Sequence, residues 1–166
     1  MASILPDVMD RLIALMKGGV SGLDRPIPAS RFEHADWEVD TLLSRAVSAP
    51  YPYNVDDIGE FQPADVPSTL SGDQVWHGCQ WLIRVAYAAS PHNQQERLKT
   101  IQRDRYQIRR ALSYPLNWLT VGGLGRVLIE EGTIDTAEIP GGEFDDVEIL
   151  HVLEIPVELT YREDHS

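Results

Sequence analysis

Residues 150–164, "LHVLEIPVELTYRED", alternate almost without error over their first twelve positions. Ile149, His151, Leu153, Ile155, Val157, Leu159 and Tyr161 fall on one side, and Glu154, Pro156, Glu158 and Thr160 on the other. A period of two predicts a half-buried strand with one core face and one acidic face. From Val147 to Tyr161 it spans roughly 50 Å at about 3.4 Å per residue, long enough to reach beyond its own domain. A second run, 74–90, sets Val75, His77, Cys79, Trp81, Ile83, Val85 and Tyr87 on one side and Gln80 and Arg84 on the other, which predicts another long strand.

Other segments carry the helical period. Val8, Met9, Leu12, Ile13, Leu15 and Met16 form one broad apolar face behind Pro6, a residue suited to a first helical turn, with Gly18 and Gly19 placed to end it. "DWEVDTLLSRAVSA" (36–49) predicts a shorter helix around Trp37, Leu42, Leu43 and Val47, stopped by Pro50 and Pro52. Ser90 followed by Pro91 signals the start of a long helix running to about Ser113, with Leu98, Ile101, Ile108 and Leu112 as its core stripe.

After a turn at "YPLNW", the segments 126–131 and 132–139 predict short strands, and Pro140-Gly141-Gly142 leads into the final one. Residues 56–73, with Gly59, Pro63, Pro67, Gly72 and five acidic side chains, predict a long acidic surface loop inserted in the domain. The order helix, helix, strand, helix, strands predicts one α+β domain over residues 1–166: a largely antiparallel β-sheet with helices packed on one side and a long C-terminal strand.

Composition narrows the function classes. The chain has 26 acidic and 14 basic side chains and a formal charge of −12, so its surface as a whole repels DNA phosphates and anionic lipid. Cys79 is the single cysteine; it cannot form an internal disulfide and fits a reducing compartment. Asp7 and Asp10 interrupt the N-terminal apolar stretch where a signal peptide needs continuity. No stretch approaches the roughly 18 uncharged apolar residues of a membrane span. The expectation is a soluble protein, with no membrane partner, that does not use the general secretory route.

Six of the fourteen basic residues lie between Arg97 and Arg110. At about 100° per residue, Lys99, Arg103 and Arg110 share one stripe, Arg105 projects close to the apolar stripe, and Arg109 sits at its edge. This basic helix face fits three roles: a solvated face with snorkelling arginines, a DNA-binding helix, which the acidic remainder opposes, or a subunit interface meeting a neighbour's acidic face. For the third role charge and geometry single out Arg103, Arg105, Arg109 and Arg110 against Glu154 and Glu158.

Other chemistry is weaker. Gly123-Leu124-Gly125 is followed by Leu128 where a dinucleotide fingerprint needs a third glycine, and by a strand-like segment where it needs a helix, so a turn is expected. His77, Cys79 and His151, with His34 and Asp36, match no zinc-ligand spacing. Asp56, Asp57 and Glu60, Glu130 with Glu131, and Asp145 with Asp146 form carboxylate clusters suited to Mg²⁺, yet no phosphate cradle or positioned base accompanies them. No GxSxG, HExxH or CxxC pattern occurs. The expectation is no enzymatic activity and no cofactor, with a small metal-dependent enzyme as the alternative of a different class.

The layout resembles the tail terminator (tail completion, minor tail) proteins of tailed bacteriophages and prophages. The resemblance rests on "LPDVMDRLIALMKG", the proline-bracketed "PYPYNV", the unit "WLIRVAYAASPHNQQERLKTIQRDRYQIRRAL" and the closing "EILHVLEIPVELTYRE". It implies a small α+β structural protein that forms a homo-oligomeric ring, six subunits in this family. Such a ring caps the finished tail tube and joins it to the head-side neck or connector protein, with DNA passing unbound through the lumen. It also implies a place at the tail-neck junction of the virion, reached from the host cytoplasm. A head-closure or adaptor protein of the same neck is the nearest alternative. The acidic balance suits a lumen that repels phosphate, and the long last strand suits sheet extension by a neighbour.

Overall fold

In a computed structural model the chain is described at residues 3–17, 31–35, 37, 42, 45–47, 49–63, 74–140 and 147–164. The elements are α1 (Leu5–Met16), β1 (Phe32–His34), β2 (Tyr51–Phe61), β3 (Gln74–Ala89), α2 (Gln94–Ser113), a 3-10 turn (Pro115–Trp118), β4 (Leu124–Ile129), β5 (Thr133–Pro140) and β6 (Val147–Asp164).

The six strands form one sheet in the order β1-β2-β3-β6-β4, with β5 also paired to β6. Only β1 and β2 run parallel among these pairs. The predicted α+β class, mostly antiparallel sheet and long C-terminal strand are all present. β3 and β6 form the spine, in register from Gln74↔Asp164 to Ala89↔Ile149. Along β6 the predicted face is the buried one: Ile149, His151, Leu153, Ile155, Val157, Leu159 and Tyr161 are all in the interior.

Val8, Leu12, Leu15 and Met16 of α1 and Ile101, Ile108 and Leu112 of α2 close over that face in a single core with Trp81, Ile83, Val85 and Leu153. The 3.6-residue period puts each helix's apolar stripe against the sheet, which is where the stability of amphipathic helices arises. At one end the opposite face is covered too, by Leu42 and Ala46 against Ala86 and Ala88. Ala46 also accepts a backbone hydrogen bond from Ala88 at 2.9 Å.

Pro156 sits in the middle of β6, a position that normally excludes proline. Its carbonyl accepts from Glu130 N at 3.0 Å. In an antiparallel ladder a residue's N and C=O point to the same side, so the missing N–H faces the junction between β4 and β5, where the ladder is already broken. Gly132 makes that junction, with φ +85° and the Glu154 carbonyl oxygen where a β-carbon would lie. Two further glycines are covered from the other face of the sheet: Phe61 lies over Gly78 and Trp76 over Gly125.

The structure corrects several expectations. Asp56 to Phe61 is not loop but the second half of β2, paired antiparallel to β3 with a bulge between Asp57 and Gly59. The bulge takes the extra residue that breaks the alternation; of the rest of the expected insertion, Gln62 and Pro63 follow the strand and 64–73 lies outside the described residues. Pro52 lies inside β2 and not in a helix-stopping turn; Pro52 faces Glu33 of the three-residue β1. α2 begins at Gln94, because Ser90 donates its N–H to Asn93 Oδ1 (2.8 Å) and residues 91–93 form a separate turn. The helix expected over 36–49 falls largely outside the described residues, as do Asp36, Gly18 and Gly19.

Candidate interaction surface

The charged residues singled out above divide between the two faces of the sheet. α2 lies on the core side and carries the arginines, while Glu154 and Glu158 point out of the opposite face, between the buried positions of β6. They do not meet within one chain.

On the outer face the register brings Asn54 and Asp56 of β2, Gln80 and Arg84 of β3, and Glu154 and Glu158 of β6 side by side. Arg84 is the cation at the centre. Its Nη2 is 2.6 Å from Asp56 Oδ2, its Nε donates to Asn54 Oδ1 at 3.2 Å, and its guanidinium lies 4.6 Å from the Trp37 ring centroid. Glu158 accepts from Gln80 Nε2 at 3.1 Å. Glu154 faces Arg84 directly and has Asp135 diagonally across the β5 ladder. Burial first, then the neighbouring Asp135 carboxyl, pushes the Glu154 carboxyl up, against the downward pull of Arg84. Glu154 therefore sits between the Asp135 carboxyl and the Arg84 guanidinium that Asp56 already engages.

The arginines of α2 differ from one another. Arg103 is exposed and lies close enough to favour the ionised form of Asp104. Arg105 is half-buried and bonded to Gln102 Oε1 at 2.5 Å. Arg110 donates from Nη1 to Tyr106 OH at 3.0 Å and lies 5.5 Å from that ring. Arg109 has a buried Nε with no hydrogen-bond partner among the described residues. Arg97 serves the fold: it donates to Ala88 O (2.8 Å), Tyr51 OH and Val47 O (3.3 Å), tying the start of α2 to the sheet.

Next to Arg109 and Arg110 is a groove of about 310 Å³ lined by Tyr106, Ser113 and Ile129 as well. A second groove of about 480 Å³ adjoins it through Ser113, under Pro115, Trp118 and Leu119. Tyr106, Leu116 and Leu119 are 61%, 54% and 73% exposed. Aromatic residues and arginine on an exposed apolar surface have the composition of protein interface centres.

The position expected to hold Arg105 near the apolar stripe is filled by Asp104, which is fully buried. Tyr87 OH donates to Asp104 Oδ2 at 2.9 Å, and Arg31 Nη1 makes an ion pair with Oδ1 at 3.4 Å without hydrogen-bond alignment. Sequence reading missed this network, although the gap between Ile101 and Ile108 signals it: a core stripe needs a residue at 104 or 105, and both are charged.

The imagined metal ligands are kept apart. His77 pairs with Tyr161 and stacks on its ring at 5.6 Å, whereas His151 pairs with Tyr87 and bonds Thr136 Oγ1 through Nδ1 at 2.8 Å. Ten strand residues, about 34 Å, separate them. Cys79 is buried, and its thiol is pushed up to about 12 by burial, Asp57 and Glu60. Among the described residues no three of His, Cys, Asp or Glu converge as a metal set. Gly123 has φ +88° in a turn that opens a strand, not a helix. No helix among the described residues is long and apolar enough to cross a membrane. No protein-family model matches the chain, and no curated protein matches it.

Proposed function

We propose that this chain is a structural assembly protein of a tailed phage, a tail-terminator-like subunit whose copies join head to tail into a ring. The ring caps the completed tail tube and joins it to the head-side neck. The observation that supports this reading is the separation of charge: a basic, aromatic helix face on one side of the sheet and a carboxylate-rich face on the other. Two different complementary surfaces on one chain favour a heterologous contact, which closes into a ring when the rotation between neighbours divides the circle. Net charge of −12 suits a lumen that conducts DNA without holding it.

Co-sedimentation with purified tail tubes tests the capping role. The reading predicts saturable binding at one tube end, visible by gold labelling of a tagged chain. Uniform binding along the tube, or none, contradicts it.

A further inference from the structure

We propose that the groove between α2 and β4 is a socket for carboxylates, and that the Asp135 and Glu154 pair on the outer sheet face of a second copy of this chain fills it. The inference rests on the ring reading and specifies its contact.

Among the described residues the socket has two guanidiniums and no carboxylate. Arg109 and Arg110 line it with Tyr106, Ser113 and Ile129, and neither makes an ion pair among the described residues. In a chain with 26 acidic side chains, two adjacent unpaired arginines are a surface that awaits an acid. Arg110 is held by its bond to Tyr106 OH and its position over that ring, so little side-chain freedom is lost on binding. Among the described residues Arg109 Nε is a buried donor without an acceptor, and such groups normally have partners. A carboxylate in the groove meets the Arg109 and Arg110 side chains that line it, in the forked geometry that guanidinium and carboxylate share.

The complementary need lies on the opposite face. Asp135 is exposed on the edge strand β5, diagonal to Glu154 on β6. The two carboxyls are hydrogen-bonded to each other and Asp135 pushes the Glu154 carboxyl up, while Arg84 is already engaged by Asp56 and Asn54. A second copy's guanidinium pair relieves this crowding while its own groove is satisfied by the next copy. A foreign acidic protein would fill the socket but leave the carboxylate pair unrelieved, so charge complementarity favours a copy of the same chain. The two surfaces are on opposite faces of one sheet and cannot satisfy each other within a subunit.

A charge swap tests the pairing on the full chain, with mass against concentration read by light scattering and the fold checked by circular dichroism. Arg110→Glu alone should raise the concentration of half-assembly by about tenfold or more, and so should Asp135→Arg alone. The double variant Arg110→Glu/Asp135→Arg should return to within about threefold of wild type, the behaviour of a directly coupled pair. If wild type assembles and Arg110→Glu assembles equally well, the socket is wrong while the ring reading stands. Failure of the double variant to recover overturns the assigned carboxylates. Wild type that stays monomeric with and without tail tubes overturns the ring reading and this contact with it.

Discussion

Tyr87 on β3 donates its phenolic proton to Asp104 of α2 across the core, 2.9 Å from oxygen to oxygen. The bond joins the spine of the sheet to the helix that carries the proposed contact surface. Burial pushes the Asp104 carboxyl up, opposed by the Tyr87 bond, Arg31 and Arg103. The folded chain thus holds the Asp104 carboxyl proton more tightly than the unfolded chain. The stability from the neutral acid is complete below the ordinary value of 3.8 and is lost as pH rises through the raised folded value. Asp104→Asn removes that dependence while keeping an acceptor for Tyr87. Melting temperatures across pH 3 to 8 should show the variant gaining on wild type as pH rises; a constant difference would contradict the assignment.

His151 has the opposite sign. Burial, and then Arg97, lowers its pKa below 6.5. The neutral imidazole is therefore favoured on folding, and its contribution is complete above the ordinary value and lost as pH falls toward the folded one. Urea midpoints should drop between pH 7.5 and pH 5.5 in wild type and drop less in His151→Asn. Equal drops would place the proton uptake elsewhere.

Gly132 lets β4 hand over to β5 beside Pro156. A β-carbon there would lie 2.5 Å from the Glu154 carbonyl oxygen, at φ +85°. Gly132→Ala should destabilise the fold by about 1–3 kcal/mol, the range for a non-glycine residue held in the left-handed region. A thermal melt reads this, and an unchanged melting temperature would mean that the junction does not require glycine.

Cys79 is buried, and its pKa of about 12 leaves little thiolate at neutral pH. Since the thiolate is the nucleophile, iodoacetamide at pH 8 should leave the native protein unlabelled and modify it readily in urea. Labelling of the folded chain at the rate of a free thiol would contradict this burial.

The long elements were legible in the sequence because their periods are long and clean. β3 and β6 alternate over more than a dozen residues, and α1 and α2 repeat an apolar stripe over three turns or more. β2 was missed because Asp56, Asp57 and Glu60 make it polar and a bulge at Asp57–Gly59 breaks its alternation; the three-residue β1 is too short to carry a period. Asp104 was missed because periodicity ranks residues by polarity, whereas its burial depends on Tyr87 and Arg31, both remote in sequence. Arg109, Arg110 and Glu154 could be chosen from charge, but only the sheet register puts Asp135 beside Glu154 and leaves the α2 arginines on the far face.

Ring and monomer are separated by native mass from light scattering across a concentration series, followed by negative-stain imaging with and without tail tubes. A tail-terminator-like subunit should give a closed ring with a central hole, in solution or on the tube end. A concentration-independent monomer that also leaves tail tubes uncapped would contradict the ring reading.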